Sequence, residues 1–467
     1  MTEPRVHPYI PNTAPAAKAA MLAATGAASV EDFYADIPDD LRLHRPLDLP
    51  PALVAEEDLR RHVAGLLARN ESSDRRLMFL GGGTYPHAVP AVVTEVINRG
   101  EFLTAYAGEP YEDHGRFQAL FEYASEMAEL LQTDVVTIPT YDGFQATSTA
   151  LAMCARITGR STVLLVSDAD ADKLSRVTDF LAAVQVRRVP TRDAVADLDA
   201  VAAALGEEGG DDVAAVWVET PSATGAVEQA LPRLAELAHA AGALLVVGTD
   251  PVVYGIVEPP ATQGADLTCG DIQSLGLGSW FGGAHAGFLA CADDPRLVME
   301  LPSRLFGLTT TDVPGELGFG DVAYERTSFA VREEGKEWVG TAAALWGIAA
   351  GVYLALMGPQ GMRELGETLA LRTRYAQQKL AAIEGVELAD DAFHLREFVI
   401  STPIPAAELV GRCRQRHVEP GIVRGPSELT VCVTELHSKA EIDRLAAVVE
   451  SALTAPNTVV VNQENLR

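Results

Sequence analysis

Lysine is what this chain most lacks: there are five (Lys18, Lys173, Lys336, Lys379 and Lys439) among 36 basic residues, the other 31 being arginine. Any Schiff-base chemistry run by the chain itself is therefore confined to five positions. Cysteine is scarce too, with five scattered residues, no C-x-x-C pair and no zinc-type spacing with histidine. That pattern excludes a disulfide framework and a zinc module, and it suits a reducing compartment. Long apolar runs are missing as well. The longest, residues 346–357, falls far short of the roughly 20 residues a spanning helix needs. Residues 1–15 hold four prolines and no basic flank before an apolar core, so no signal peptide and a cytoplasmic location are expected. Positive charge is in deficit, with 65 acidic against 36 basic side chains and a net charge of -29. Such a surface repels phosphate backbones and anionic head groups, so neither nucleic acid nor membrane is an expected partner.

What is present is length and apolar content. The 467 residues, 48% of them hydrophobic, suit two or three well-buried domains. Residues 1–75 read as an arm: short helices at 16–24 and 30–34, then an extended stretch punctuated by Pro38, Pro46, Pro50 and Pro51, which fits a segment lying over another surface. Residues 76–335 read as a large α/β domain. Its strand candidates, 135–138, 162–166, 184–189, 213–218 and 244–247, are continuous apolar runs suited to burial on both faces. Amphipathic helices at 143–156, 171–184, 194–205 and 228–241 separate them, with Asp193 as an expected N-cap and Gly242 as a stop. Alternation of this kind predicts right-handed crossovers and a mostly parallel sheet. Residues 336–467 change grammar. A helix over 341–357 stops at Gly358-Pro359, a second covers 361–380, and strands at 398–400 and 428–433 flank a helix at 406–416 before a last helix at 439–453. That is a smaller α+β unit joined by a long helix.

Few motifs carry chemistry by themselves. The run Gly81-Gly82-Gly83-Thr84 lets backbone amides approach an anion, but neither P-loop nor dinucleotide spacing is present, and a generic turn is the favoured reading. Gly276, Gly278, Gly282 and Gly283 form a second cluster with the same two readings. The acidic loop with Tyr111, Glu112, Asp113 and His114 and the mixed-charge run 332–337 read first as solvated. Tyr141-Asp142-Gly143 stands where a strand hands over to a helix; a phenol and a carboxylate there either orient a small polar ligand or simply cap the helix. Asp250 is more telling. It follows the strand at 244–247, and open parallel sheets bind ligands at the carboxyl ends of their strands. Pyridoxal-phosphate enzymes of the aminotransferase-like fold place a carboxylate there to hold the pyridine nitrogen protonated. Their lysine follows roughly two dozen residues later. Here that stretch reads Gly270-Asp271-Ile272-Gln273-Ser274-Leu275-Gly276, with no lysine.

Across nearly the whole chain, ordered matches resemble the α subunit (subunit 1) of two-subunit glycine dehydrogenase (decarboxylating), the P-protein of the glycine cleavage system. They include Tyr9-Ile10-Pro11-Asn12-Thr13, Phe79-Leu80-Gly81, Thr104-Ala105-Tyr106, Tyr141-Asp142-Gly143, Phe281-Gly282-Gly283, Gly358-Pro359-Gln360-Gly361 and Cys432-Val433-Thr434-Glu435-Leu436. The resemblance implies the α/β fold of aminotransferase-like, pyridoxal-phosphate-dependent transferases (fold type I). It also implies that the chain pairs with a homologous β subunit carrying pyridoxal phosphate on its own lysine, in an α2β2 assembly. The pair would decarboxylate glycine and pass the aminomethyl group to the lipoyl arm of the H-protein. Tyr106, Tyr141 and Asp142 would then line the partner's site, with no cofactor or metal on this chain.

The chain departs from the family pattern at 107–115, 137–140 and 332–341, all site-lining segments. Two other readings stay open: a diverged P-protein-like subunit acting with its partner on another small amino acid or carrier-bound intermediate, and a non-catalytic scaffold subunit. On the lysine count, the chain purified alone is expected to show no internal-aldimine absorbance and no pyridoxyllysine after borohydride treatment; a stoichiometric reduced adduct would overturn this.

Overall fold

The computed structural model describes residues 10, 14–73, 75–102, 114–169, 171–207, 209–282, 284–302, 304–336 and 343–454. The chain divides into two units, one ending at Glu71 and the other starting at Ser72. The first holds helices α1 (Pro15–Thr25) and α2 (Glu56–Leu67) joined by short 3-10 turns. Sequence reasoning assigns no helix at α2, yet its first turn carries Glu56, Glu57 and Asp58, which favour the positive end of the helix dipole. No described residue of this unit is buried, and Leu41, Leu49 and Val54 stand open to solvent. The arm therefore has no core of its own.

The second unit starts with β1 (Leu77–Met78), α3 (Ala91–Ile97) and α4 (His114–Leu131). Alternation then gives β2 (Val135–Val136), α5 (Gly143–Thr158), β3 (Thr162–Val166), α6 (Ala171–Phe180) and β4 (Gln185–Val189). It continues through a hairpin of β5 (Thr191–Arg192) and β6 (Val195–Ala196), then α7 (Leu198–Gly206), β7 (Val213–Thr220), α8 (Leu231–Ala240), β8 (Leu244–Thr249), β9 (Leu267–Asp271) and β10 (Gly287–Cys291). The short α9 (Pro295–Val298) leads to a hairpin of β11 (Leu305–Thr310) and β12 (Leu317–Val322), then the short α10 (Ser328–Val331) and the long α11 (Ala344–Ala381). Last come β13 (Glu387–Leu388), β14 (Glu397–Ser401), α12 (Ala406–Arg414), β15 (Val418–Glu419), β16 (Ile422–Val423), β17 (Glu428–Cys432) and α13 (Lys439–Thr454).

Seven strands form the main sheet in the order β2-β10-β9-β8-β7-β3-β4. From β9 to β4 every pairing is parallel, while β10 runs antiparallel to both β9 and β2. The apolar runs of β3, β7 and β8 are continuous because both faces are covered. Val163 and Leu165 point into one core with Ala146 and Ala150 of α5, whereas Leu164 and Val166 point into another with Leu231 and Leu234 of α8. A four-stranded antiparallel sheet, β13-β14-β17-β16, gathers the C-terminal strands. The strand β1 joins that end of the chain by pairing in parallel with β15. Phe79, fully buried, stacks on His437 at 4.5 Å between ring centroids.

Two local expectations are corrected. Asp193 is no N-cap: with Ala194 it takes positive φ (52 and 64°) in the β5–β6 turn, and Asp197 caps α7 through the Asp199 and Ala200 amides. The 228–241 helix starts late, at Leu231, because the buried Glu228 carboxylate accepts from the Ala196 and Ala230 amides instead. The expected break between two helices is present: at Gly358 (φ 58°) the backbone leaves helical geometry and Pro359 restarts it, so the two are the arms of one kinked element. Replacing Phe79 by alanine should cost about 3–5 kcal/mol, read as a lowered urea midpoint; an unchanged midpoint would show that β1 is not part of the C-terminal core.

Candidate active-site cavity

The carboxyl ends of β3, β7, β8 and β9 open into a cavity of about 460 Å³, walled by residues such as Ala169, Glu219, Asp250 and Asp271. This is where an open parallel sheet presents its loops to ligands. The start of α5 and the Gly82-Gly83-Thr84 turn close one side, and Arg396 and Glu397 at the head of β14 close another.

Arg396 is the centre of the buried polar network. Its Nη2 donates to Asp250 Oδ2 at 2.7 Å, while Ser274 Oγ donates to Asp250 Oδ1 at 2.5 Å. The guanidinium lies 3.3 Å from the centroid of the Tyr85 ring, a cation–π contact inside the protein. Its Nη1 bonds His87 Nε2 at 2.9 Å, and His87 Nδ1 bonds Glu435 Oε2 at 2.8 Å. An arginine only donates, so His87 accepts at Nε2 and donates from Nδ1. Burial alone would push the Asp250 carboxyl up, but Arg396, with Ser274 and His87, outweighs it and holds the group below the ordinary aspartate range. Burial likewise opposes the Glu435 charge, and His87 reverses that. Glu397 ties the glycine turn into the same network: its Oε1 accepts from the Gly82 amide at 2.7 Å and its Oε2 from the Tyr85 hydroxyl at 2.8 Å. The backbone of Arg396 sits at φ 73°, a left-handed conformation that the surrounding contacts impose.

Across the cavity the start of α5 is filled by carboxylates. Asp142 Oδ1 accepts from the Gln145 amide at 2.7 Å, and Asp271 Oδ2 accepts from the Gly143 amide at 3.0 Å. Asp271 Oδ1 also takes the Gln273 amide at 2.9 Å. Its side-chain partner is His285, whose Nδ1 lies 3.1 Å from Oδ2 while Nε2 lies 2.9 Å from Thr84 Oγ1. The Asp271 bond holds the His285 imidazole above its usual pKa, against burial.

The residues singled out from sequence are placed unequally. Asp142 caps α5, as one of its two readings expects, and it also lines the cavity. Tyr141 is 58% exposed on the surface, its amide bonded to Gln145 Oε1. Tyr106 lies outside the described residues, as do residues 107–113 and 337–341 of the departing segments. Lys336 pairs with Glu300 at 3.4 Å, and both Lys379 and Lys439 pair with Asp443. The first glycine run serves as a turn, with Gly82 and Gly83 at φ 77 and 106°, and Glu397 supplies the anion its amide meets. Of the second cluster, Gly276 packs against the Tyr353 ring and Gly282 reaches the cavity wall. Sequence reasoning misses Thr84 as a side chain, His285, Arg396 and Glu397. No local signal marks them, since their partners lie 146 to 315 residues away in the bonds Arg396–Asp250, Thr84–His285 and Glu397–Gly82.

A family model, glycine cleavage system P-protein, matches residues 7–449. The chain belongs to this family. Among its relatives is a protein of Aeropyrum pernix named probable glycine dehydrogenase (decarboxylating) subunit 1, 35% identical over 96% of this chain and 99% of the relative. A crystal structure of glycine decarboxylase (P-protein) of the glycine cleavage system, in inhibitor-bound form, aligns over 96% of this chain and 100% of that one, at 32% identity and a TM-score of 0.80. An aspartate aminotransferase from Thermus thermophilus, at 17% identity and a TM-score of 0.55, covers 80% of this chain and 98% of that one and shares the fold alone. The fold is therefore fold type I, the aminotransferase-like fold of pyridoxal-phosphate enzymes, as the family resemblance implies.

The P-protein family and its fold imply pyridoxal phosphate, which a cavity of this fold holds through a lysine, a carboxylate and a helix start; the residues of this cavity are different. They do not fit. Ser274 stands 24 positions after Asp250 and bonds it directly, in the stretch where the fold carries its lysine. The carboxylate that would meet a pyridinium is paired with Arg396. The amides at the start of α5 that would meet a phosphate already face Asp142 and Asp271.

Replacing Arg396 by methionine leaves Asp250 buried and unpaired, at a cost of about 3–5 kcal/mol near neutral pH. Because the folded pKa of Asp250 is lowered, its contribution is present above the unfolded value and is lost as pH falls through the folded one. The stability gap between wild type and variant, measured by urea unfolding, should thus narrow below about pH 4. A gap constant from pH 7 to pH 3 would show that the pair is not the source.

Proposed function

We propose that this chain is the cofactor-free α subunit of a glycine decarboxylase, pairing in the cytoplasm with a homologous β subunit that carries pyridoxal phosphate. The observation that carries the reading is a full-length P-protein fold in which Asp250 is committed to Arg396 and Ser274. Bound to the partner, the cofactor supplies the electron sink for loss of carbon dioxide from glycine. The aminomethyl group then goes to the lipoyl arm of the H-protein, and the assembly is α2β2.

This chain's share is positioning. Tyr141 puts a phenol on the surface, where a partner's substrate would meet it, and Asp142 fixes the start of α5 directly behind it. Tyr106 is assigned to the same site by its place in the family motif. A phenol that holds a small carboxylate contributes orientation, which is a large part of catalysis for a substrate as small as glycine.

Two assays test the reading. The purified α and β chains, mixed with glycine and lipoylated H-protein, should release carbon dioxide, and absence of turnover would remove the glycine assignment. In the same pair Tyr141→Phe should lower glycine-dependent bicarbonate exchange by about tenfold or more. Wild-type exchange in that variant would favour a scaffold role for this chain.

A further inference from the structure

Thr84, His285 and Asp271 form a hydroxyl–imidazole–carboxylate chain inside the cavity, with links of 2.9 and 3.1 Å. Nothing in the proposed glycine chemistry uses it. The arrangement meets the geometric test for an activated nucleophile: the hydroxyl is within reach of a base, and the base is oriented by a third group. Asp271 is itself anchored by the Gly143 and Gln273 amides at 3.0 and 2.9 Å, so the imidazole is held in one orientation. With Nδ1 donating to Asp271, Nε2 is left to take the proton of Thr84. The backbone N–H groups of Gly83 and Thr84 donate to no described residue. They lie in the left-handed glycine turn that carries the hydroxyl, and a turn of this kind can present successive amides to a developing oxyanion.

We propose that this cavity is a second, cofactor-independent acyl-transfer site that hydrolyses small esters, with Thr84 as nucleophile, His285 as general base and acid, and Asp271 as positioning residue. Thr84 Oγ adds to the ester carbonyl carbon as its proton passes to His285 Nε2. The carbon–oxygen bond to the alcohol then breaks, and the alcohol leaves with that proton. Water repeats the sequence on the acyl-threonine, its proton passing through His285, and releases the acid while restoring the hydroxyl. No oxidant or cofactor is needed. A cavity of about 460 Å³ accommodates a short acyl chain. Its wall carries the carboxylates of Asp142, Glu219, Asp271 and Glu397 against Arg176, with Asp250 and Arg396 paired to each other; the excess of negative charge disfavours an anionic acyl group, so the substrate class is uncharged or ammonium-bearing esters.

The test uses the full-length chain with p-nitrophenyl acetate as substrate and a fluorophosphonate as covalent probe. Steady p-nitrophenolate release is expected, falling about 100-fold in Thr84→Val and in His285→Gln and returning in Thr84→Ser. Peptide mass spectrometry should place the phosphonyl group on residue 84 of the wild-type chain. Release equal in wild type and Thr84→Val, or labelling at another residue, overturns the proposal. The labelling is read on the unaltered protein, so a variant that fails to fold does not shield it. Neither readout involves glycine or the β subunit, so failure here and failure of the decarboxylase reading are distinguishable.

Discussion

The buried pair of Arg396 and Asp250 joins the main sheet of the second unit to its C-terminal sheet. Asp250 stands at the carboxyl end of β8 and Arg396 immediately before β14, 146 residues apart in the chain, yet their side chains meet at 2.7 Å. Two charges removed from water cost several kcal/mol each, and their attraction offsets this only when the remaining donors and acceptors are satisfied. Here they largely are: Ser274 takes the second Asp250 oxygen, His87 takes a second guanidinium nitrogen, and the Tyr85 ring covers the face. His87 in turn leans on Glu435, and Tyr85 on Glu397. Removing one charge leaves the other stranded, and the glycine turn, β14 and the loop after β8 lose their common anchor.

The same pair gives the cavity its chemistry. A fold type I site recognises its cofactor at three points, a lysine, a carboxylate for the ring nitrogen and a helix start for the phosphate. In this chain a serine, a guanidinium and a carboxylate meet those points from within. The replacements match in sign: a cation rests on Asp250, and anions rest on the first amides of α5. The architecture of the site is thereby satisfied by the chain itself. A cavity remains beside the filled points, and the Thr84, His285 and Asp271 side chains project into it.

Much of the fold was readable from the residues. The central strands β3, β7 and β8 announce themselves as continuous apolar runs because two cores sandwich them, so no polar alternation interrupts the pattern. Both the break at Gly358-Pro359 and the second helix beyond it were readable, and the structure adds that the two run on as one kinked element. Asp193 and Glu228 misled because both are good helix-start residues in isolation. A tight turn at 193–194 and the orphan amide of Ala196 claimed them instead. Asp250 was found from its place after a strand, and Asp142 from its place before a helix. Arg396, His285 and Glu397 were not found, since nothing near them in sequence distinguishes them from surface polar residues.

The sequence alone determined family membership, the strand and helix alternation, the acidic surface and the restriction of Schiff-base chemistry to five lysines. Those properties reside in composition, in short periodic patterns and in ordered motifs, all of which are local. Only the tertiary structure decided that Asp250 faces a guanidinium, that Asp271 occupies the start of α5, and that a threonine and a histidine 201 residues apart share a hydrogen bond. Side-chain pairing across such separations depends on how the crossovers bring strand ends and loops together, and no short stretch of chain contains that information.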